Sequence, residues 1–101
     1  KGLGRTAYVA KDHHEALAVV RRRAESLGAI VLDADLGATD SVRLLSSLRT
    51  SAPGVPVVVS SGSSEESIRE LFRVEPYDVF LAKPYTRAEL KAALAAAEGK
   101  A

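Results

Sequence analysis

The sequence contains no cysteine, no methionine and no tryptophan, and only 5% of its 101 residues are aromatic. Without cysteine the chain can form neither a disulfide framework nor a cysteine-based zinc site, and it offers no thiol nucleophile. No apolar run reaches the roughly 18 residues that a transmembrane helix needs, and no signal-peptide pattern opens the chain. We therefore expect a cytoplasmic protein that has no membrane partner.

A strong excess of charge of either sign is also missing. Fourteen Lys and Arg residues against thirteen Asp and Glu residues give a formal net charge of +1, far from the basic excess of a dedicated nucleic-acid binder. Direct binding to nucleic acid is therefore not expected. What is present, 47% apolar and 27% charged residues, is the composition of a globular protein, and the length suits a single domain over residues 1–101.

Short apolar runs alternate with segments of helical periodicity four times along the chain. The pattern predicts four strands, at residues 6–10, 29–32, 55–59 and 77–82. The apolar runs at 29–32 and 55–59 are typical of strands covered on both faces. Helix N-caps are predicted at Asp12, Ser63 and Thr86, because a glutamate follows each of them at the spacing of a capping box. This alternation implies an α/β fold, with an open parallel sheet and helices on both of its faces.

Three polar residues follow three of the predicted strands, and functional groups gather at the carboxyl ends of the strands in an open parallel sheet. They are Asp33, Ser61 and Lys83. A carboxylate can act as a nucleophile toward phosphorus when a cation and a hydroxyl donor lie nearby to balance the phosphoryl charge. Each residue alone has a plain structural explanation, as the start of a loop or as a solvated side chain. Their convergence at one sheet edge favours a joint site.

Three segments together resemble the receiver domain of two-component response regulators, which has a flavodoxin-like fold. In that comparison 28 positions separate Asp33 from Ser61 and 22 separate Ser61 from Lys83, and both intervals are typical of the family. The segments that carry the resemblance are Val31–Leu36 with Asp40, Val55–Gly62 and Phe80–Tyr85. The resemblance spans nearly the whole chain.

The resemblance implies a role for each residue of the predicted site. Asp33 would accept a phosphoryl group from a histidine kinase or a phosphotransfer protein, Ser61 would hydrogen-bond the phosphoryl oxygens, and Lys83 would pair with the phosphoryl charge. Phe80 stands where the family has an aromatic switch residue, and the Lys83–Pro84 peptide bond is often cis in the family. The protein would then be an interaction switch read by an output domain or effector protein, and not an enzyme with a diffusible substrate.

One departure from the family pattern concerns its first strand and helix, because the resemblance begins at what corresponds to the second of five strands. We therefore expect a receiver truncated at its N-terminus, with four recognisable strands, and the absence of an initiator methionine agrees with that expectation. In the family the missing strand lies between those predicted here at residues 6–10 and 29–32. Either an upstream segment supplies it, or a second copy does so in a homodimer, or the four strands close up.

The missing segment also carries the acidic pair that holds magnesium in the family. The resemblance leaves the Asp33 carboxylate and the Asp35 backbone carbonyl as magnesium ligands, so weak binding of Mg²⁺ is expected. The Asp35 side chain is a candidate to replace a lost acid in part, since it lies two residues after Asp33.

An alternative to the phosphoacceptor reading is a pseudo-receiver, which would have the same fold but act as a phosphorylation-independent binding or dimerisation module. A weaker alternative is a flavodoxin-like binder of a small ligand. Metal binding by His13 and His14 is disfavoured, because adjacent positions on a helix face different directions and no cysteine or further histidine completes a ligand set.

Overall fold

A computed structural model describes residues 6–10, 13–23, 27–36 and 38–99 of the chain. The strands are β1 (Thr6–Ala10), β2 (Leu27–Asp33), β3 (Val57–Ser61) and β4 (Val79–Ala82). The helices are α1 (His13–Arg23), α2 (Ala38–Ser51), α3 (Glu65–Leu71) and α4 (Arg87–Gly99), and a short 3-10 helix, η1 (Ala34–Leu36), links β2 to α2. None of the helices within these ranges is long and apolar enough to cross a membrane.

The described strands form one parallel sheet in the order β1-β2-β3-β4. Tyr8 of β1 lies opposite Ile30 of β2, so the two strands that were expected to flank a missing strand pair directly. Of the three arrangements considered from the sequence, the structure therefore has the one in which the strands close up. Direct pairing gives the facing edges of β1 and β2 backbone partners, which an open gap between them would lack.

The sheet is covered by helices on both faces, which confirms the predicted α/β architecture. Successive side chains of a strand point to opposite faces, so Ile30 and Val31 of β2 belong to two different apolar cores. The first core joins the sheet to α1, α2 and α3, and its buried members include Val20, Ile30, Leu32, Leu45, Leu48, Val57, Val59, Ile68 and Phe72. The second core joins the sheet to α4, with Ala29, Val31, Val58, Leu81, Ala93 and Ala97.

Two strands begin two residues later than their apolar runs predict. β3 begins at Val57 and not at Val55, because the Val55 amide donates instead to the Ala52 carbonyl across a turn and Pro56 has no amide to donate. β4 begins at Val79 and not at residue 77. β4 ends at Ala82 as predicted, whereas β3 continues two residues beyond Val59 to Ser61. β2 is longer than predicted and runs from Leu27 to Asp33.

Of the predicted helix caps, the one of α4 is confirmed and the one of α3 lies one residue further along the chain. Thr86 and Glu89 form the predicted capping box, with the Thr86 amide donating to Glu89 Oε1 at 2.8 Å and the Glu89 amide donating to Thr86 Oγ1 at 3.1 Å. The N-cap of α3 is Ser64 and not the predicted Ser63, because the Ser64 hydroxyl accepts the Ser67 amide. The Ser63 amide instead donates to the Ser61 hydroxyl. The predicted cap at Asp12 lies outside the described residues.

Candidate functional site

The carboxyl ends of β2, β3 and β4 lie side by side and bring the three predicted site residues together. Asp33 is the last residue of β2 and lies opposite Ser60, while Ser61 ends β3 opposite Ala82. Lys83 follows β4 directly, and its backbone amide donates to the Ser61 carbonyl at 2.9 Å. The parallel register therefore places a carboxylate, a hydroxyl and an ammonium group at one edge of the sheet.

Asp33 and Lys83 form a direct ion pair, in which Nζ lies 2.7 Å from Asp33 Oδ2. The Asp33 side chain is 26% exposed and the Lys83 side chain is 32% exposed, so the ion pair lies at the edge of the sheet and is open to solvent. The other carboxylate oxygen, Oδ1, accepts the Asp35 amide at 2.8 Å. The hydrogen bond to Asp33 is the largest of the interactions that raise the pKa of Lys83, which stays a cation.

The side chain of Asp35 contacts the same group of residues. Its Oδ1 accepts the Ser61 hydroxyl at 2.7 Å, and its Oδ2 accepts the Gly62 amide at 3.0 Å and lies 3.3 Å from Lys83 Nζ. We call these three donors, the Ser61 hydroxyl, the Gly62 amide and the Lys83 ammonium, the anion cradle. The Gly62 amide contributes most to lowering the pKa of Asp35, followed by the Ser61 hydroxyl, and partial burial opposes them.

Backbone contacts hold the anion cradle in place. The Ser61 hydroxyl accepts the Ser63 amide at 3.0 Å while it donates to Asp35, so both of its hydrogen-bonding roles are used. Ser61 is buried, and the Lys83–Pro84 peptide bond is cis. Ser41 of α2 is also buried, and its hydroxyl donates to the Asp33 carbonyl at 3.4 Å, which ties the start of η1 to α2.

Phe80, the predicted switch residue, lies on β4 opposite Val59 and is half-buried against the first core. Its ring centroid is 6.3 Å from that of Tyr77, whose ring in turn packs edge-on against Phe72 at 5.9 Å. Beside this aromatic row lies a cavity of about 620 Å³, which is also lined by Arg69 and Arg73 of the α3 region.

A magnesium ion finds few ligands among the residues that the structure describes. They include no group of three or more Asp, Glu, His or Cys residues arranged to hold a metal. The two carboxylates at the sheet edge, Asp33 and Asp35, both already contact the Lys83 ammonium. Mg²⁺ is usually held by one or two carboxylates with several water molecules. The described residues therefore fit a tight magnesium site poorly.

The arrangement of a strand-end aspartate, a hydroxyl and a lysine can be compared with known proteins. A family model of the response regulator receiver domain matches residues 1–95. The chain belongs to the response regulator receiver family. A comparison with curated proteins gives no match. The family match therefore confirms the resemblance that three segments of the sequence indicated.

Solved structures agree with the fold of the receiver. A response regulator from Thermotoga maritima superimposes with a TM-score of 0.73 at 18% identity, over 92% of this chain and 99% of that chain. The receiver domain of a sensor histidine kinase from Pseudomonas aeruginosa PAO1, with magnesium coordinated in its active site cleft, gives 0.63 at 20% identity, over 95% and 98%. A response regulator protein from Burkholderia pseudomallei, with a phosphorylated aspartic acid, a calcium ion and citrate, gives 0.62 at 20% identity, over 93% and 69%.

These neighbours confirm the flavodoxin-like α/β fold. Receiver domains are generally signalling modules, and as a family they interact with histidine kinases and output domains. The sequence correctly placed Asp33, Ser61 and Lys83 at one edge. It missed the Gly62 amide as a donor to Asp35, and it considered the Asp35 side chain as a substitute metal ligand, whereas the structure places that side chain in the anion cradle.

Proposed function

We propose that this receiver accepts a phosphoryl group on Asp33 and thereby switches a protein-interaction surface. The observation that supports the proposal most is the position of the Asp33 carboxylate, 2.7 Å from the Lys83 ammonium and at the same sheet edge as the Ser61 hydroxyl. A cation and neutral donors around a nucleophilic carboxylate are what phosphoryl transfer requires. The receiver would act as a signalling module and not as an enzyme with a diffusible substrate.

The phosphoryl donor in this proposal is a phosphohistidine of a histidine kinase or a phosphotransfer protein. A carboxylate oxygen of Asp33 attacks the phosphorus, so that a P–O bond forms while the P–N bond breaks and the imidazole leaves with its electron pair. The product is an acyl phosphate on Asp33. Lys83 would balance the charge on the phosphoryl oxygens, and the Ser61 hydroxyl would donate a hydrogen bond to one of them.

The output of the switch would pass through Phe80. Ser61 ends β3 and Phe80 lies on the adjacent strand β4, so a shift of the Ser61 hydroxyl toward the phosphoryl group acts next to the strand that carries the ring. Phe80 is half-buried and lines the cavity beside the aromatic row, so its ring has space in which to change its exposure. We propose that an output domain or effector protein reads the surface formed by β3, β4, α3 and α4.

Magnesium enters the proposal as a weakly held ion. Its ligands would be the Asp33 carboxylate and the Asp35 backbone carbonyl, and when bound it would balance part of the phosphoryl charge. Weak binding agrees with the poor fit of the described residues to a metal site. Isothermal titration with magnesium tests this part directly.

Intact mass spectrometry after incubation with acetyl phosphate and magnesium tests the phosphoacceptor. We predict that the parent chain gains the mass of one phosphoryl group and that Asp33→Asn gains none, because an amide keeps the shape of the side chain but lacks the nucleophilic oxygen. A matched control is Glu66→Gln, which neutralises an exposed carboxylate in the first turn of α3 and should still be phosphorylated. Circular dichroism checks that all variants fold. A phosphoryl group on Asp33→Asn would assign the site to another residue.

A pseudo-receiver remains a second candidate, and one observation favours it: the Asp35 carboxylate already contacts the donors that a phosphoryl group would use. In this reading the domain binds a partner, or a second copy of itself in a homodimer, without being phosphorylated. Light scattering of the chain before and after treatment with acetyl phosphate separates the two functions. An oligomeric state and partner affinity that do not respond to the phosphodonor would favour the pseudo-receiver.

A further inference from the structure

The side chain of Asp35 contacts the donors around the phosphoacceptor, although its position two residues after Asp33 does not by itself require these contacts. All three members of the anion cradle converge on this one carboxylate: the Ser61 hydroxyl at 2.7 Å, the Gly62 amide at 3.0 Å and the Lys83 ammonium at 3.3 Å. The donors come from the ends of two different strands, yet they use both oxygens of a single side chain. The Asp35 carboxylate is therefore held as a bound anion would be.

A carboxylate and a phosphoryl group compete for the same kind of donors. Both are anions with several acceptor oxygens, and both form their strongest hydrogen bonds with ammonium groups and with oriented amide and hydroxyl donors. In the proposed function, Ser61 and Lys83 serve the phosphoryl group once it is on Asp33. The same two donors cannot fully serve Asp35 and the phosphoryl group at the same time.

The fold does not depend on the Asp35 side chain to keep the site together. Lys83 is held to Asp33 by its own ion pair and to the Ser61 carbonyl through its backbone amide. The contact of Asp35 with Asp33 is made by its backbone amide, which every residue other than proline retains at this position. The Asp35 side chain is 40% exposed, so it can leave the anion cradle for solvent without opening a core.

We propose that Asp35 is an internal competitor of phosphorylation: its carboxylate occupies the anion cradle in the unphosphorylated receiver and is displaced when a phosphoryl group arrives. The competition for the phosphoryl group rests on the proposed function, whereas occupancy of the cradle by Asp35 does not. The apparent affinity for an external anion is then the intrinsic affinity multiplied by the fraction of molecules whose anion cradle is free. If Asp35 occupies the anion cradle in about 90% of the molecules, the affinity for the external anion falls about tenfold.

The first test is a titration with inorganic phosphate in the absence of magnesium. Binding is monitored by the Gly62 amide resonance in nitrogen–proton correlation spectra. In Asp35→Ala this resonance should shift even before phosphate is added, because the amide loses a charge-assisted hydrogen bond. Asp35→Ala should then bind phosphate about tenfold more tightly than the parent chain. The control is again Glu66→Gln, which removes the same charge from an exposed position outside the anion cradle. If this control gains as much affinity as Asp35→Ala, the effect is general electrostatics and the proposal is wrong.

The second test measures the rate of phosphorylation by acetyl phosphate in the same variants. We expect Asp35→Ala to react about tenfold faster than the parent chain. Asp35→Asn should lie between them, because its single amide oxygen can accept from the Ser61 hydroxyl or from the Gly62 amide, whereas the carboxylate serves each donor with a separate oxygen. Equal rates together with equal phosphate affinities would overturn the competition while leaving Asp33 as the phosphoacceptor. If no variant is phosphorylated but Asp35→Ala still binds phosphate more tightly, the proposed function fails and occupancy of the cradle by Asp35 is supported.

Discussion

Asp78 is the residue whose replacement should test the architecture behind the site most sharply. Its Oδ2 accepts the Val57 amide at 2.7 Å and the Arg49 guanidinium at 3.1 Å. Arg49, near the end of α2, also donates to the Pro76 carbonyl at 2.9 Å. The Asp78 side chain thus joins the end of α2 to the first residues of β3 and β4. This side chain therefore helps to align the start of β4 with β3, and these two strands end at Ala82 and Ser61.

The cost of Asp78→Ala follows from these contacts. Val57 is 1% exposed, so its amide would lose a charged acceptor in a place where water has little access. A hydrogen bond to a charged group is worth about 1.5–3 kcal/mol, and a partly exposed ion pair adds at most about 1 kcal/mol. We expect the free energy of unfolding to fall by about 2–3 kcal/mol, which for a chain of this length lowers Tm by about 10–20 °C.

Asp78→Asn is the matched control, because both hydrogen bonds go to the same carboxylate oxygen and an amide oxygen can take its place. This variant should lose only the charge of the ion pair, about 0.5–1 kcal/mol. Urea denaturation followed by circular dichroism measures both values. If the alanine and asparagine variants lose the same stability, the buried Val57 amide is not what makes Asp78 important, and the reasoning fails.

Two further predictions concern the site and the core. Lys83→Ala and Ser61→Ala should each slow phosphorylation of Asp33 by acetyl phosphate, by about a hundredfold for a lost electrostatic donor. Unchanged phosphorylation kinetics in both variants would favour the pseudo-receiver. Phe72→Ala should lower the free energy of unfolding by about 3–5 kcal/mol, since Phe72 is 1% exposed in the first core, whereas Val74→Ala, at an 85% exposed position, should change it little. Equal losses in urea denaturation would contradict the first core as described.

Much of this fold could be predicted from the sequence because the determining signals are local. The apolar run around Val57–Val59 marks a buried strand wherever it lies, and a threonine followed three residues later by a glutamate marks the start of α4. The convergence of Asp33 and Lys83 also followed from a simple rule, since parallel strands end at the same edge of a sheet.

The direction of the Asp35 side chain could not be predicted in the same way. If β2 had continued as a strand, Asp33 and Asp35 would share a face and lie side by side. Instead η1 (Ala34–Leu36) begins directly after Asp33, and the turn carries the Asp35 carboxylate across to Ser61 and Gly62. No residue pattern specifies the side-chain direction that results from so short a helix.

Contacts between residues distant in sequence were also beyond reach. Arg49 and Asp78 belong to different elements, and a charged residue beside a loop gives no sign of its partner. The direct pairing of β1 with β2 is a similar case, because the same apolar runs are compatible with a gap, an exchanged strand or a closed sheet. Only the three-dimensional arrangement distinguishes these possibilities.

The central claim is that Asp33 itself carries the phosphoryl group, and chemical mapping of the modified residue tests it most directly. After incubation with acetyl phosphate and magnesium, borohydride reduces an aspartyl phosphate to homoserine and releases phosphate, and tandem mass spectrometry then locates the homoserine within the tryptic peptide that contains Asp33, Asp35 and Asp40. The account predicts homoserine at position 33 alone, and none in Asp33→Asn. Homoserine at position 35 or 40, or none in the parent chain, would contradict it.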